Sequence, residues 1–305
     1  MVKDKVSLLK YAVAAVVGLY VLHLMLIGLS SACLKPDRYL PEPLPAGASD
    51  QDRARVLSVA VTQALENELN FIFGFLPNDL NFVPSIIDNR SEFQRGVVYA
   101  TRQASDIIAK DVSRYGDRDT IDARLADATA RFFAYSENVW GFWFVYDCEG
   151  KYRQGIANWK SWAESVGSTA KNAGIYNMRS DDIYNILRYC MNMTDYALGM
   201  LNNDQLGHFG IDNAIYYTKG VALVTGNVLA ALSAVDSSVK ERGGSENLVE
   251  AMRRLDMINA FDPLLTIAGG SLTGDAMLPN HVAALARHFD IANNRIADMM
   301  HSMEK

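Results

Sequence analysis

Between Tyr11 and Leu34 the chain runs for 24 residues without a fully charged side chain. As a helix that stretch is about 36 Å long, against a hydrocarbon core of about 30 Å, so it predicts a transmembrane anchor over residues 11–34. Whatever follows must then fold beside a bilayer. His23 is the one imidazole inside the run, and in its neutral form it is tolerated near a partner or an interface. Two other readings compete with a retained anchor. A cleaved secretory signal has an apolar core of about 7–15 residues, shorter than this one. A lipoprotein signal would acylate Cys33, and Ser31-Ala32-Cys33 suits its end, but Ser30 stands where that signal normally carries Leu.

Charge gives the anchor a direction. Lys3, Lys5 and Lys10 precede it, whereas Lys35 and Arg38 follow it. The excess of lysine places residues 1–10 in the cytoplasm and the rest outside, which in a bacterium means an inner-membrane protein with a periplasmic domain. The net charge is −6, of which the first 34 residues contribute +2, leaving −8 for the remainder. An acidic domain lacks the basic footprint that phosphate backbones require, so nucleic acid is not an expected partner. Three cysteines, Cys33, Cys148 and Cys190, are too few for a disulfide scaffold, although one bridge between Cys148 and Cys190 is compatible with an oxidising compartment.

Residues 35–48 hold Pro36, Pro41, Pro43 and Pro45 with Gly47, the composition of an extended, semi-rigid linker. A domain over residues 49–305 follows. No proline occurs between Pro84 and Pro263, which suits helices, since an interior proline costs about 3 kcal/mol. Ser49 with Asp52 caps a first helix whose apolar face runs Leu57, Val61, Ala64, Leu65, Leu69 and Ile72. Ser91 with Gln94 has the form of a capping box for a second, ending before Gly116, and Ile121, Leu125, Ala128 and Phe132 mark a third. Further helices are predicted at about 149–167, at 181–201 after Ser180, at 212–236, at 246–259 after Ser245, and from Pro279 to Met303. The apolar run Gly220–Val235 includes Thr225, Asn227 and Ser233 and is too short to span, so it predicts a buried core helix. With no alternating strand pattern and no repeat, the fold class is all-α: a helical bundle, in one body or two subdomains, behind one transmembrane helix.

Several words in the sequence occur together: Glu68-Leu69-Asn70 through Phe75-Leu76-Pro77-Asn78-Asp79-Leu80, then Asp88-Asn89-Arg90, Gly96-Val97-Val98-Tyr99-Ala100-Thr101-Arg102, Tyr152-Arg153-Gln154-Gly155-Ile156 and Met178-Arg179-Ser180-Asp181-Asp182-Ile183-Tyr184. They resemble a proteobacterial family of single-pass inner-membrane proteins catalogued as a domain of unknown function. The resemblance implies the same topology and brings no catalytic residue with it.

Two clusters stand out as ligand or partner candidates. Asn78, Asp79, Asp88, Asn89 and Arg90 interrupt a very apolar stretch, where they either converge on a ligand or serve as caps, with Asp88 pairing Arg90. Eight of the 30 aromatic residues, among them Phe132, Phe133, Tyr135, Trp140 and Trp143, fall between 132 and 146. They form either a plug between subdomains or an exposed surface for a protein or the lipid interface. His281 and His288 are seven apart, not the three or four of helical metal ligands, so no metal site is predicted. Nucleotide and hydrolase fingerprints are lacking and no cofactor is implied. The expected function is a non-enzymatic scaffold or assembly factor binding another envelope protein; the alternative is an enzyme or small-ligand receptor acting on an envelope component.

Overall fold

In the computed structural model, residues 2–32, 34–78, 88–114, 120–139, 147–203, 208–262 and 280–304 are described. Among them every regular element is helical: α1 (Val2–Ala32), α2 (Asp50–Leu69), α3 (Asn89–Val112), α4 (Ala123–Asp127), α5 (Cys148–Ser165), α6 (Ser180–Leu201), α7 (His208–Val235), α8 (Ser238–Glu241), α9 (Ser245–Ala260) and α10 (His281–Met303). A 3-10 turn covers Leu76–Asn78, and a π turn, Ala128–Phe132, continues α4.

The centre of the bundle is α7. Its sequence is apolar on all sides, and a helix of that kind is stable in water only when it is surrounded. Helices α2, α3, α6 and α9 pack around it, with α5 laid on α2 and α10 on α6 and α9. Val221, Ala222, Val224, Val228, Leu229, Ala231 and Leu232 are buried accordingly. By hydropathy alone, Gly210–Val235 would pass as a second span, yet it is 94% buried inside the domain. Two of its hydroxyls bond within the helix: Thr218 and Thr225 donate to the carbonyls of Ile215 and Val221. One hydrophobic cluster includes side chains from α2 to α10, so the helices on either side of α7 share a single core.

Helices α3 and α7 cross with their backbones in close approach, and glycine permits it. A Cβ on Gly96 would lie 2.0 Å from the carbonyl oxygen of Tyr217, and one on Gly220 would lie 2.3 Å from that of Phe93. Two alanines here would push the helix axes apart.

Three predicted helix starts differ from the structure. Gln94 turns away from Ser91 to other partners, described below, and α3 begins two residues earlier at Asn89. Arg179 takes the N-cap position of α6, its amide donating to the Asp182 carboxylate at 2.8 Å, and Ser180 is already helical. Gly244, at φ 88°, precedes α9 in place of Ser245. The predicted Ser49–Asp52 capping box is formed. Pro279 lies outside the described residues; Asn280 caps α10 by accepting from the Ala283 amide at 2.9 Å.

The proline-rich segment forms no helix or strand and lies along α7. Leu34 is buried in the core, the Tyr39 amide donates to Asn227 Oδ1 at 2.9 Å, and the Leu44 amide donates to the Ala234 carbonyl at 2.8 Å. Arg38 bonds Asp256 and the Met252 carbonyl on α9. The segment thus carries the chain from the foot of α1 to the start of α2 as a strap. Cys148 and Cys190 are both buried and free.

Candidate functional site

The stretch from Tyr11 to Leu29 in α1 leaves most of its large apolar side chains bare, with Leu19 at 67% and Met25 at 67% exposed. Only its foot touches the domain. Ile27 is fully buried and Ser31 nearly so, and His23 meets the Phe73 ring edge-on at 5.8 Å.

Beneath that foot lies a network of polar side chains. Arg90, in the first turn of α3, forms a two-pronged ion pair with Glu68 at the end of α2, both contacts 3.0 Å, and the pair is about nine-tenths buried. The same guanidinium reaches the Ser30 carbonyl at 3.4 Å and stacks 3.4 Å from the centre of the Phe71 ring. Gln94 lies one turn on, so its amide faces the same way: it donates to Glu68 and to the Gly74 carbonyl, both at 3.0 Å, and accepts from the Leu76 amide at 2.8 Å. Glu149, at the start of α5, accepts from the Phe75 amide at 2.9 Å. Arg153, one turn further, donates to the Leu69 carbonyl and to Asn70.

These bonds pin both ends of the loop between α2 and the 3-10 turn. Gly74, at φ 65°, makes the reversal, and a Cβ there would meet Glu149 Oε1 at 2.8 Å. Phe75 turns inward onto Tyr152, Phe71 and Phe73 are half-buried beside Arg90 and His23, and Ile72 is 83% exposed. The predicted apolar face of the first helix included Ile72; the helix instead stops at Leu69, and Ile72 stands in the loop.

Of the polar cluster predicted from the sequence, the described members Asp88, Asn89 and Arg90 face different partners. Arg90 pairs with Glu68 and not with Asp88, because its first-turn position on α3 points it toward α2 and α1. Asp88 holds the N-cap position without a side-chain cap bond, and faces Asp212 and Asn213 of α7. Burial first, then the Asp212 charge, raises its pKa. Asn89 is the first residue of α3 and neighbours Tyr216. Asp79, Trp140 and Trp143 lie outside the described residues, as does the side chain of Asn78. Of the aromatic stretch, Phe133 is buried against Gly155. Glu68, Gln94 and Glu149, which organise the site, are not among the sequence candidates. The only available signal was an acid and an amide placed on otherwise apolar helix faces.

A second polar group lies on α7. Lys219 is fully buried, its ammonium donating to the Phe261 carbonyl at 2.5 Å and lying 5.0 Å from the Tyr216 ring. Burial lowers its pKa to about 8, opposed by Asp262. It satisfies a carbonyl just past the end of α9. Among the described residues no three metal-ligating side chains cluster; His288 contacts Arg254 instead.

A bundle with a buried ion pair under the foot of a bare apolar helix defines a class: a helical domain docked onto its own N-terminal hydrophobic helix. The chain belongs to the family described as an uncharacterized protein conserved in bacteria (DUF2333), whose model matches residues 4–204, from α1 to just past α6. No curated protein and no solved structure matches it.

Proposed function

We propose that this is a single-pass protein of the bacterial inner membrane, residues 1–10 cytoplasmic and the helical domain periplasmic, acting as a non-enzymatic scaffold or assembly factor for another envelope protein. The observation that carries the reading is that the polar side chains nearest α1 are consumed in holding domain and helix together. Arg90 binds Glu68, the Ser30 carbonyl and the Phe71 ring, so its guanidinium is committed to contacts within the fold. A domain fixed this way presents its other faces at a constant height above the bilayer, which suits a platform. The family model includes α1, which supports a helix that is integral to the protein.

The alternative, a small-ligand receptor or enzyme, is favoured by one recess of about 280 Å³ between α3, α6 and α7, lined by Glu92, Asn203, Asn213 and Tyr217. Burial raises the pKa of Glu92 there, but neither Arg90 nor Asp88 lines it.

Crosslinking of the full chain in intact cells, followed by its purification from the membrane, decides between them. A scaffold brings down the same envelope protein each time, at comparable amounts, and Asn213→Ala leaves the yield unchanged. A chain that purifies alone and depends on Asn213 for activity toward an envelope component overturns the proposal. A periplasm-dependent reporter fused after Lys305 is expected to be active; activity of only a cytoplasmic reporter reverses the topology.

A further inference from the structure

We infer that the loop Phe71–Ile72–Phe73 is a second membrane element, inserted into the acyl chains of the outer leaflet beside α1; this rests on the reading of α1 as a membrane span.

The depth follows from helix geometry. Lys10 is the last charge before the apolar run, and at 1.5 Å per residue Ser30 lies about 30 Å above it, the thickness of the hydrocarbon core. With Lys10 at the inner boundary, the Ser30 carbonyl sits at the outer one, and there Arg90 meets it. The buried Arg90–Glu68 pair therefore lies at the edge of the hydrocarbon core and not within it. His23 is seven residues nearer the cytoplasm, about 10 Å below that boundary. The Phe73 ring contacts His23, so Phe73 reaches the same depth, within the range of about 5–10 Å at which interfacial apolar faces insert. Phe71, stacked between Arg90 above and Phe73 at 5.6 Å, lies between the two levels.

The side chains fit lipid. Ile72 is 83% exposed, an unfavourable placement in water for a branched aliphatic side chain. The fold takes trouble to hold it there: Gln94, Glu149 and Arg153 fix the loop ends while Phe75 alone turns inward. Inside the bilayer the same exposure becomes solvation by acyl chains. The loop also shields the imidazole of His23 on one side. The outward face of the loop is continuous with the bare side of α1, where Leu22, Met25, Leu26 and Leu29 are exposed, so one lipid phase covers both.

The test uses the full chain with Cys33→Ser in vesicles of equal parts phosphatidylethanolamine and phosphatidylglycerol, leaving the buried Cys148 and Cys190 in place. An environment-sensitive fluorophore is attached to Ile72→Cys, to Leu22→Cys as the anchor control, and to Ser168→Cys as the aqueous control. Ser168 lies at the far end of α5, beside the start of α2 through the Gln51–Glu164 contact, about 25 Å from the loop. All three positions are exposed in the fold, so the labels do not disturb the core. The expected result is blue-shifted emission at Ile72, quenched by spin-labelled acyl chains and not by iodide, as at Leu22, while Ser168 shows the reverse. An aqueous Ile72 probe with a lipid-quenched Leu22 probe overturns the inference and leaves the anchor standing. Aqueous signals at both overturn the anchor as well. An Ile72 probe shielded from both lipid and iodide assigns the loop to a protein contact and refutes the membrane role.

Discussion

Replacing Arg90 by Ala removes the cation from a pair whose side chains are only 11% and 9% exposed. Glu68 keeps a single bond, from Gln94, and is left as a buried carboxylate without a counter-charge. Breaking a buried pair on one side costs about 3–5 kcal/mol, and the lost stack on Phe71 adds about 0.5–1 kcal/mol. We expect Arg90→Ala to lower domain stability by about 4 kcal/mol in urea unfolding of the full chain in detergent, followed by far-UV circular dichroism. Lys110→Ala supplies the comparison: the Lys110–Asp106 pair is 50% and 39% exposed, and its loss should cost about 0.5 kcal/mol or less. The sharper discriminator is Glu68→Gln added to Arg90→Ala, which removes the stranded charge and keeps an acceptor for Gln94. The double variant should recover about 1–2 kcal/mol of the single-variant loss. A loss below about 1 kcal/mol for Arg90→Ala, or a double variant less stable than the single, would refute the view that this pair clamps the domain to α1.

Gly96→Ala places a methyl 2.0 Å from the Tyr217 carbonyl and should cost about 3 kcal/mol or more, read from the urea midpoint; a neutral result would show that α3 and α7 cross less closely than described. Asp111 is raised to about 6 by burial and by the neighbouring Asp182 charge, and its Oδ2 is buried with no hydrogen-bond partner among the described residues. Its folded pKa exceeds the unfolded value of about 3.9, so the fold holds the extra proton between about pH 4 and 6, and stability falls as pH rises through that window. Asp111→Asn should remove this fall and stabilise the protein at neutral pH by about 1–3 kcal/mol; an unchanged pH profile sinks the assignment. Lys219 has the opposite sign. With a folded pKa of about 8 below the unfolded 10.4, the unfolded chain binds the extra proton in between, so stability rises from about pH 8 to 10. Lys219→Met should flatten that rise in thermal melts across the range, and persistence of the slope would place its cause elsewhere.

Length and polarity of the N-terminal run, the helical periodicity after it, and the burial of the Gly220–Val235 segment were determined by sequence alone, because each depends on residues within a few turns of one another. The all-helical class followed from the same local patterns. Contacts between distant residues were decided only by tertiary structure. Arg90 has Asp88 two residues away and pairs with Glu68 across 22, because its position in the first turn of α3 sets the direction of its side chain. Gln94 carries the spacing of a capping box, yet its amide meets two loop groups that only the packing of α2 against α3 brings within reach. Ile72 continues a helical stripe that the chain ends at Leu69, where the loop is held by groups on α3 and α5. The strap over α7 joins residues 188 apart in Tyr39 and Asn227, and nothing local in a proline-rich segment says which helix it will follow. Periodicity shows which face of a helix is apolar; what that face meets depends on how the chain closes its long loops, and here that closure sets both the ion pair and the exposed loop beneath the anchor.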